Sequence, residues 1–356
     1  MRRGISAAAF FLVLQYGLFI FVYTQCIIQS QPSGQWLFVM LGWLIQGIML
    51  RLLIGGFKAD KSDLLSKLNA SGKWLRLGLV WPLLLSNLLT IGIIIRGHSQ
   101  VLSVLYLPNT PIGFMLALLL CTALTVAYAG KDSLLRLSLV IGCLMLPLVL
   151  LAFIAVLKYV NPDMIFPIQP SMEFMTKPKL MPVFFILSNV FSLIAFVGPH
   201  SSVSKYWIWG AWGFSLLLFL LNVYLPVSVF GQEVVKDLRF PSLLLLDSVR
   251  VDWFFFDGIS LFYILAIMIS TLLNISSLLW LTRQLTVQSA FVPKLMTNPA
   301  SVSLLAIAVA YAIPNLESLE ILMVWGGPLR FALLLMLGII GVYYRKRAKT
   351  GEKPRA

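Results

Sequence analysis

Charge is scarce in this 356-residue chain: 11% of its residues are Asp, Glu, Lys or Arg, against 60% hydrophobic ones. The mean hydropathy is +0.93. Soluble domains carry about 25% charged and about 45–50% apolar residues. There is too little polar surface here to cover a water-soluble globule, so the excess apolar surface must face lipid. That excludes a soluble enzyme and a nucleic-acid binder, although the net charge is +14. Histidine is confined to His98 and His200, expected in isolated terminal or loop positions, which argues against catalysis. The three cysteines, Cys26, Cys121 and Cys143, sit in or beside apolar stretches, with no CxxC and no His at ligand spacing. They are expected to be buried, inert thiols and not a disulfide or metal framework. No nucleophile–base pair, phosphate loop or metal cluster is present, and nothing calls for a cofactor.

What the chain has in abundance is long apolar runs. A bilayer core needs about 20 apolar residues in helix, with the backbone hydrogen-bonded internally. Ten runs meet or approach that length: 5–24, 34–57, 75–95, 112–129, 137–157, 181–197, 207–230, 259–282, 300–313 and 321–344. The ninth is short, and the tenth carries Gly326-Gly327-Pro328 and Arg330. Met1-Arg2-Arg3 before an apolar run also fits a signal peptide. No small-x-small cleavage site precedes Gln31-Pro32, however, so a first span is the reading adopted.

Loop charges set the orientation. With the N-terminus cytoplasmic, one side collects 19 basic and four acidic residues, and the other keeps 8 basic and 9 acidic. The surplus therefore anchors the cytoplasmic leaflet, and both termini lie inside. Ten spans with both ends inside divide as five plus five, within a single membrane domain over 1–356. The first half covers 1–158 and the second 181–344, with the basic tail at 345–356. An odd number per half inverts the second relative to the first, the layout of many secondary transporters. The site in that layout lies near mid-membrane, among the first, third, sixth and eighth spans.

No Asp or Glu falls in the middle of any span, which weakens a carboxylate-driven pump, because such residues usually mark proton relays and ion sites. Neutral polar clusters take their place. Ser86, Asn87 and Thr90 share a face of the third span, and Ser188, Asn189 and Ser192 share one of the sixth. Ser270, Asn274 and Ser277 form a stripe on the eighth, with Thr271 beside it, and the first span offers Gln15, Tyr16 and Gly17. Singly, such residues serve as helix–helix glue; together, on the four spans that would surround a site, they are candidates for a ligand pocket. Pro82, Pro147, Pro226 and Pro328 are expected to kink their spans. Arg51, Arg96 and Arg330 are expected to snorkel from span ends, with Arg330 deep enough to pair with Glu317 or Glu320. The stretch 231–257, with alternating charges, an apolar block and the aromatics Trp253–Phe256, reads as short helices on the outer membrane surface.

The same stretch, "FGQEVVKDLRFPSLLLLDSVRVDWFFFDGISLFYILAIM", resembles the seventh-to-eighth-span region of the endospore germination permeases, the B subunits of GerA-type nutrient-germinant receptors. The likeness rests on Gly231-x-Glu233, on Phe240-Pro241-Ser242-Leu243 and on the acidic and aromatic entry to the eighth span. It extends to 129–147 and 160–168 and covers essentially the whole chain. The resemblance implies an amino acid–polyamine–organocation (LeuT-like) transporter fold. It also implies a small nutrient ligand (an amino acid, nucleoside or sugar), and an A subunit and a C-subunit lipoprotein as partners in the spore inner membrane. The alternative is a working amino-acid permease of the same superfamily. Two features depart from the family pattern: Leu187-Ser188-Asn189 stands where relatives often have a Gly–acidic pair, and the glycine-rich first-span motif is reduced to Gly17.

Overall fold

The computed structural model describes residues 2–18, 23–31, 33–57, 73–170, 180–194, 205–249, 260–287 and 294–350. All regular structure among them is helical. The helices are α1 (Arg2–Leu18), α2 (Thr24–Ser30), α3 (Gln35–Phe57), α4 (Lys73–Leu105), α5 (Ile112–Ala129) and α6 (Lys131–Val156). Then follow α7 (Pro182–Leu187), α8 (Phe191–Ile194), α9 (Lys205–Phe230), α10 (Gln232–Val235), α11 (Pro241–Ser248), α12 (Ser260–Val287), α13 (Pro299–Ala312) and α14 (Leu316–Thr350). Seven of them, α3, α4, α5, α6, α9, α12 and α14, are long and apolar enough to cross a membrane, and α1 and α13 are shorter apolar helices.

Seven of the ten expected runs are helices of spanning length, and the first and ninth form the shorter apolar helices α1 and α13. The third runs on to Leu105 instead of stopping near 95, and the tenth begins at Leu316. Neither Gly326-Gly327 nor any of Pro82, Pro147, Pro226 and Pro328 ends a helix; all four prolines lie inside one. The sixth segment is not a plain helix. Its helical pieces α7 and α8 are joined by a 3₁₀ turn, Ser188–Val190, and residues 195–204, His200 included, lie outside the described residues.

Burial separates a central layer from a peripheral one. α12 is the most enclosed of the seven long helices, and it packs on α1, α4, α5 and α6. α5 and α6 turn large apolar side chains outward, among them Phe114, Leu118, Val140 and Ile154. Such a surface is stable against acyl chains and not against water. Cys121 and Cys143 lie on it, exposed, which corrects the expectation that all three thiols are buried; only Cys26 is. α3 and α9 are fastened by Trp43 and Trp212. Their rings stack with centroids 3.7 Å apart, and each indole N–H donates to the other's carbonyl, at 2.9 and 3.3 Å.

After 231 the chain forms the short helices α10 and α11. The leucines of α11 turn into the bundle: Leu243, Leu245 and Leu246 are buried, and Ser242 Oγ donates to Asn222 O at 3.3 Å. α11 thus covers α9 and α12 instead of resting on lipid. The aromatic cluster 253–256 lies outside the described residues.

Candidate ligand site

The polar side chains of several elements converge on α1 between Leu14 and Gly17. His98 Nε2, from α4, lies 3.1 Å from Gly17 O and 2.8 Å from Thr271 Oγ1, which itself lies 3.5 Å from Gly17 O. The other ring nitrogen, Nδ1, lies 2.8 Å from Ile94 O. A Cβ on Gly17 would meet Thr271 N at 3.1 Å and the Ser270 carbonyl carbon at 3.2 Å. A larger residue there would require α1 or α12 to give way by a few tenths of an ångström. His98 is buried inside a helix, which corrects the terminal or loop placement expected from the sequence.

The 3₁₀ turn of the sixth segment reaches the same place. Asn189 Nδ2 donates to Leu14 O at 2.8 Å, and Ser188 Oγ donates to Phe185 O at 2.7 Å. Asn189 Oδ1 and the buried Ser192 Oγ have no protein partner. A 3₁₀ stretch within a helix often marks a functional hinge, and this one is tied to α1 by a side chain.

On the far side of α7, Ser86 Oγ donates to Leu83 O at 2.9 Å and Thr90 Oγ1 to Ser86 O at 2.6 Å. Thr90 Oγ1 also accepts from Arg330 Nη1. Arg330 is 2% exposed, and its guanidinium carbon lies 6.0 Å from the Phe185 ring centre. It neither snorkels nor pairs with a glutamate; Glu320 Oε1 accepts instead from Gln25, at 3.5 Å. Arg96 does not snorkel either: it is buried, with Nη2 donating to Pro314 O at 2.7 Å. Arg51 alone of the three is exposed.

Contacts thus link Thr90 to Arg330, Arg330 to Phe185, Ser188 to Phe185, Asn189 to Leu14 of α1, and Gly17 of α1 to His98, Ser270 and Thr271. Ser270 Oγ also lies 3.0 Å from Met145 Sδ. Tyr16 packs edge-on against Tyr263, with ring centres 5.9 Å apart. Both Tyr16 and Ser270 line a cavity of about 550 Å³ whose other walls, such as Leu12, Val13, Pro147 and Phe214, are apolar. No side-chain hydrogen bond joins the amides of Gln15, Asn87 or Asn274 to this set. Each is buried, and both atoms of its side-chain amide are without a protein partner. The Asn274 backbone carbonyl, by contrast, accepts from Ser277 Oγ at 2.7 Å. Among the described residues no group of three His, Cys, Asp or Glu side chains is placed to hold a metal.

Sequence reading missed two members of this network, His98 and Arg330. The signal for Arg330 was its depth: it lies 14 residues into a 35-residue helix. For His98 there was little signal, because Arg96-Gly97-His98 reads as the polar edge of a span.

A family model described as Spore_permease, spore germination protein, matches residues 6–316. No curated protein matches the chain. Among solved structures, the crystal structure of MhsT in complex with L-phenylalanine is similar, with a TM-score of 0.61 and 14% identity. The match covers 95% of this chain and 97% of that one. At this identity the likeness concerns the fold, which is that of the LeuT-type transporters.

Proposed function

The chain belongs to the spore germination protein family, and from that membership we propose that it is the transporter-like subunit of a nutrient-germinant receptor. It binds a small nutrient within the bundle and signals to an A subunit and a C-subunit lipoprotein in the spore inner membrane. The proposed layout is ten spans with both termini cytoplasmic. Halves at 1–158 and 181–344 are related by inversion, the segment 231–257 is extracytoplasmic, and a basic tail occupies 345–356.

One observation carries the proposal: the 3₁₀ turn Ser188–Val190 is fastened to α1 through Asn189, and the buried amides of Gln15 on α1 and Asn274 on α12 have no protein partner. Amides at Gln15 and Asn274 offer donors and acceptors in a mostly apolar surround, which is what orients a small polar ligand. A ligand that bridges α1, α12 and the sixth segment favours one arrangement of the two halves over the other. The partner subunits read that shift as a change of population.

A second reading, an amino-acid permease, is supported by the likeness to MhsT, whose structure holds L-phenylalanine. Uptake of radiolabelled amino acids by vesicles carrying the chain alone separates the two. No buried Asp or Glu occurs among the described residues, so the receptor reading expects no uptake that collapses with the proton gradient. A robust gradient-dependent flux would favour the permease.

A further inference from the structure

We propose that Arg330 is the docking point for a carboxylate carried by the nutrient, which enters between α4, α7 and α14. This rests on the reading of the chain as a nutrient-binding subunit and adds to it the chemical class of the ligand.

Arg330 sits 14 residues into α14, about 21 Å along the axis at about 1.5 Å per residue, and so at mid-bundle. It is 2% exposed. A buried guanidinium stays charged and needs an anion or a full set of acceptors. The protein supplies one: Nη1 donates to Thr90 Oγ1, whose own proton goes to Ser86 O. Nε and Nη2 have no protein partner. These two nitrogens share one edge of the guanidinium, the edge whose parallel N–H bonds match the two oxygens of a carboxylate. Arg330 and Arg96 are the buried ionisable side chains of fixed charge among the described residues, and no Asp or Glu is buried there. The local field therefore favours an anion and disfavours a cationic ligand.

The surroundings fit a ligand larger than an ion. Asn87, three residues before Thr90 on the same face of α4, has an amide with no protein partner. Phe185 closes one side of the guanidinium from α7, a helix of six residues that ends at the 3₁₀ turn. Entry then requires α7 to shift, which couples occupancy of Arg330 to the turn that Asn189 holds against α1. Arg330 lies beyond the 6–316 stretch matched by the family model, so the family comparison assigns it nothing.

The test is ligand-induced thermal stabilisation of the full-length chain in lipid nanodiscs. The probes are free amino acids, the corresponding amino-acid amides, a nucleoside, a sugar and sodium chloride alone. Wild-type protein should be stabilised by one or more free amino acids and not by their amides. Arg330→Met should weaken that binding about tenfold to a hundredfold. Its ligand-free midpoint should stay level or rise, because an unpaired buried charge is gone. Arg330→Lys, which keeps the charge without the fork, should bind with intermediate affinity, and it serves if the methionine variant does not fold. Equal stabilisation by acids and amides, or undiminished binding in Arg330→Met, would overturn the proposal. So would stabilisation by chloride with no response to amino acids, which would make this a free-halide site. Binding of the nucleoside or sugar alone would overturn the carboxylate and leave the receptor reading standing. No binding of any probe to the wild type would overturn both.

Discussion

Thr271 and Asn274 are one turn apart on α12, and the sequence treats them alike as members of a polar stripe. The structure gives them different work. The Thr271 hydroxyl lies 2.8 Å from His98 Nε2 and completes a contact between α12, α4 and the end of α1. The Asn274 amide has no hydrogen-bond partner in the protein. Interhelical polar contacts in membrane proteins are worth about 0.6 kcal/mol on average, with a maximum near about 1.7. Thr271→Val should therefore lower unfolding stability in detergent by about 0.5–2 kcal/mol, while Thr271→Ser keeps the hydroxyl and most of the stability. An unchanged unfolding midpoint for the valine variant would contradict the bridging role. Which polar residues occupy the interior was legible from the absence of charge around them. Which of them are committed to other helices was not, because the carbonyls they meet belong to residues dozens to hundreds of positions away. His98 shows the limit most clearly: its partners, Gly17 O and Thr271 Oγ1, are 81 and 173 positions distant.

Helices and their approximate ends were legible from apolar runs of about 20 residues. The errors share one cause. α4 runs past 95 because Arg96 finds Pro314 O and His98 finds the end of α1, so polar residues that look like a boundary are buried within a helix. The leucines of α11 turn inward because α9 and α12 offer them a surface, which no local pattern reveals. Between elements, α14 approaches the backbone of α7 closely at Gly327. A Cβ on Gly327 would lie 2.9 Å from Phe185 N and 3.0 Å from Met181 O, both backbone atoms, whereas one on Gly326 would meet only Leu89 Cδ2 at 3.5 Å. Gly327→Val should push α7 off α14 and cost about 1–3 kcal/mol, with loss of germination response. Gly326→Ala should be tolerated. Thermal unfolding of the two variants checks this, and equal behaviour would refute the tight seam.

At the scale of the molecule, an all-helical membrane protein was readable from composition, whereas the transporter-type fold came from the sequence's resemblance to the germination permeases. The split of 19 basic and four acidic residues against 8 and 9 also makes a topological prediction. In a chain stripped of its native cysteines, Val234→Cys should react with an impermeant maleimide from outside intact cells, and Lys67→Cys should react only after lysis. The reverse pattern would invert the whole arrangement.

The central claim is that the buried, unpartnered amides of α1 and α12 bind the nutrient, and Asn274 tests it most directly. The measurement is the nutrient dose–response of germination, normalised to the amount of immunodetected protein, for Asn274→Leu. Losing the amide leaves polar atoms of the ligand unpaired at about 1–3 kcal/mol each. The half-maximal nutrient concentration should therefore rise about tenfold to a hundredfold at unchanged protein abundance. A normal half-maximal concentration with reduced abundance would mean that Asn274 holds helices together and binds no ligand.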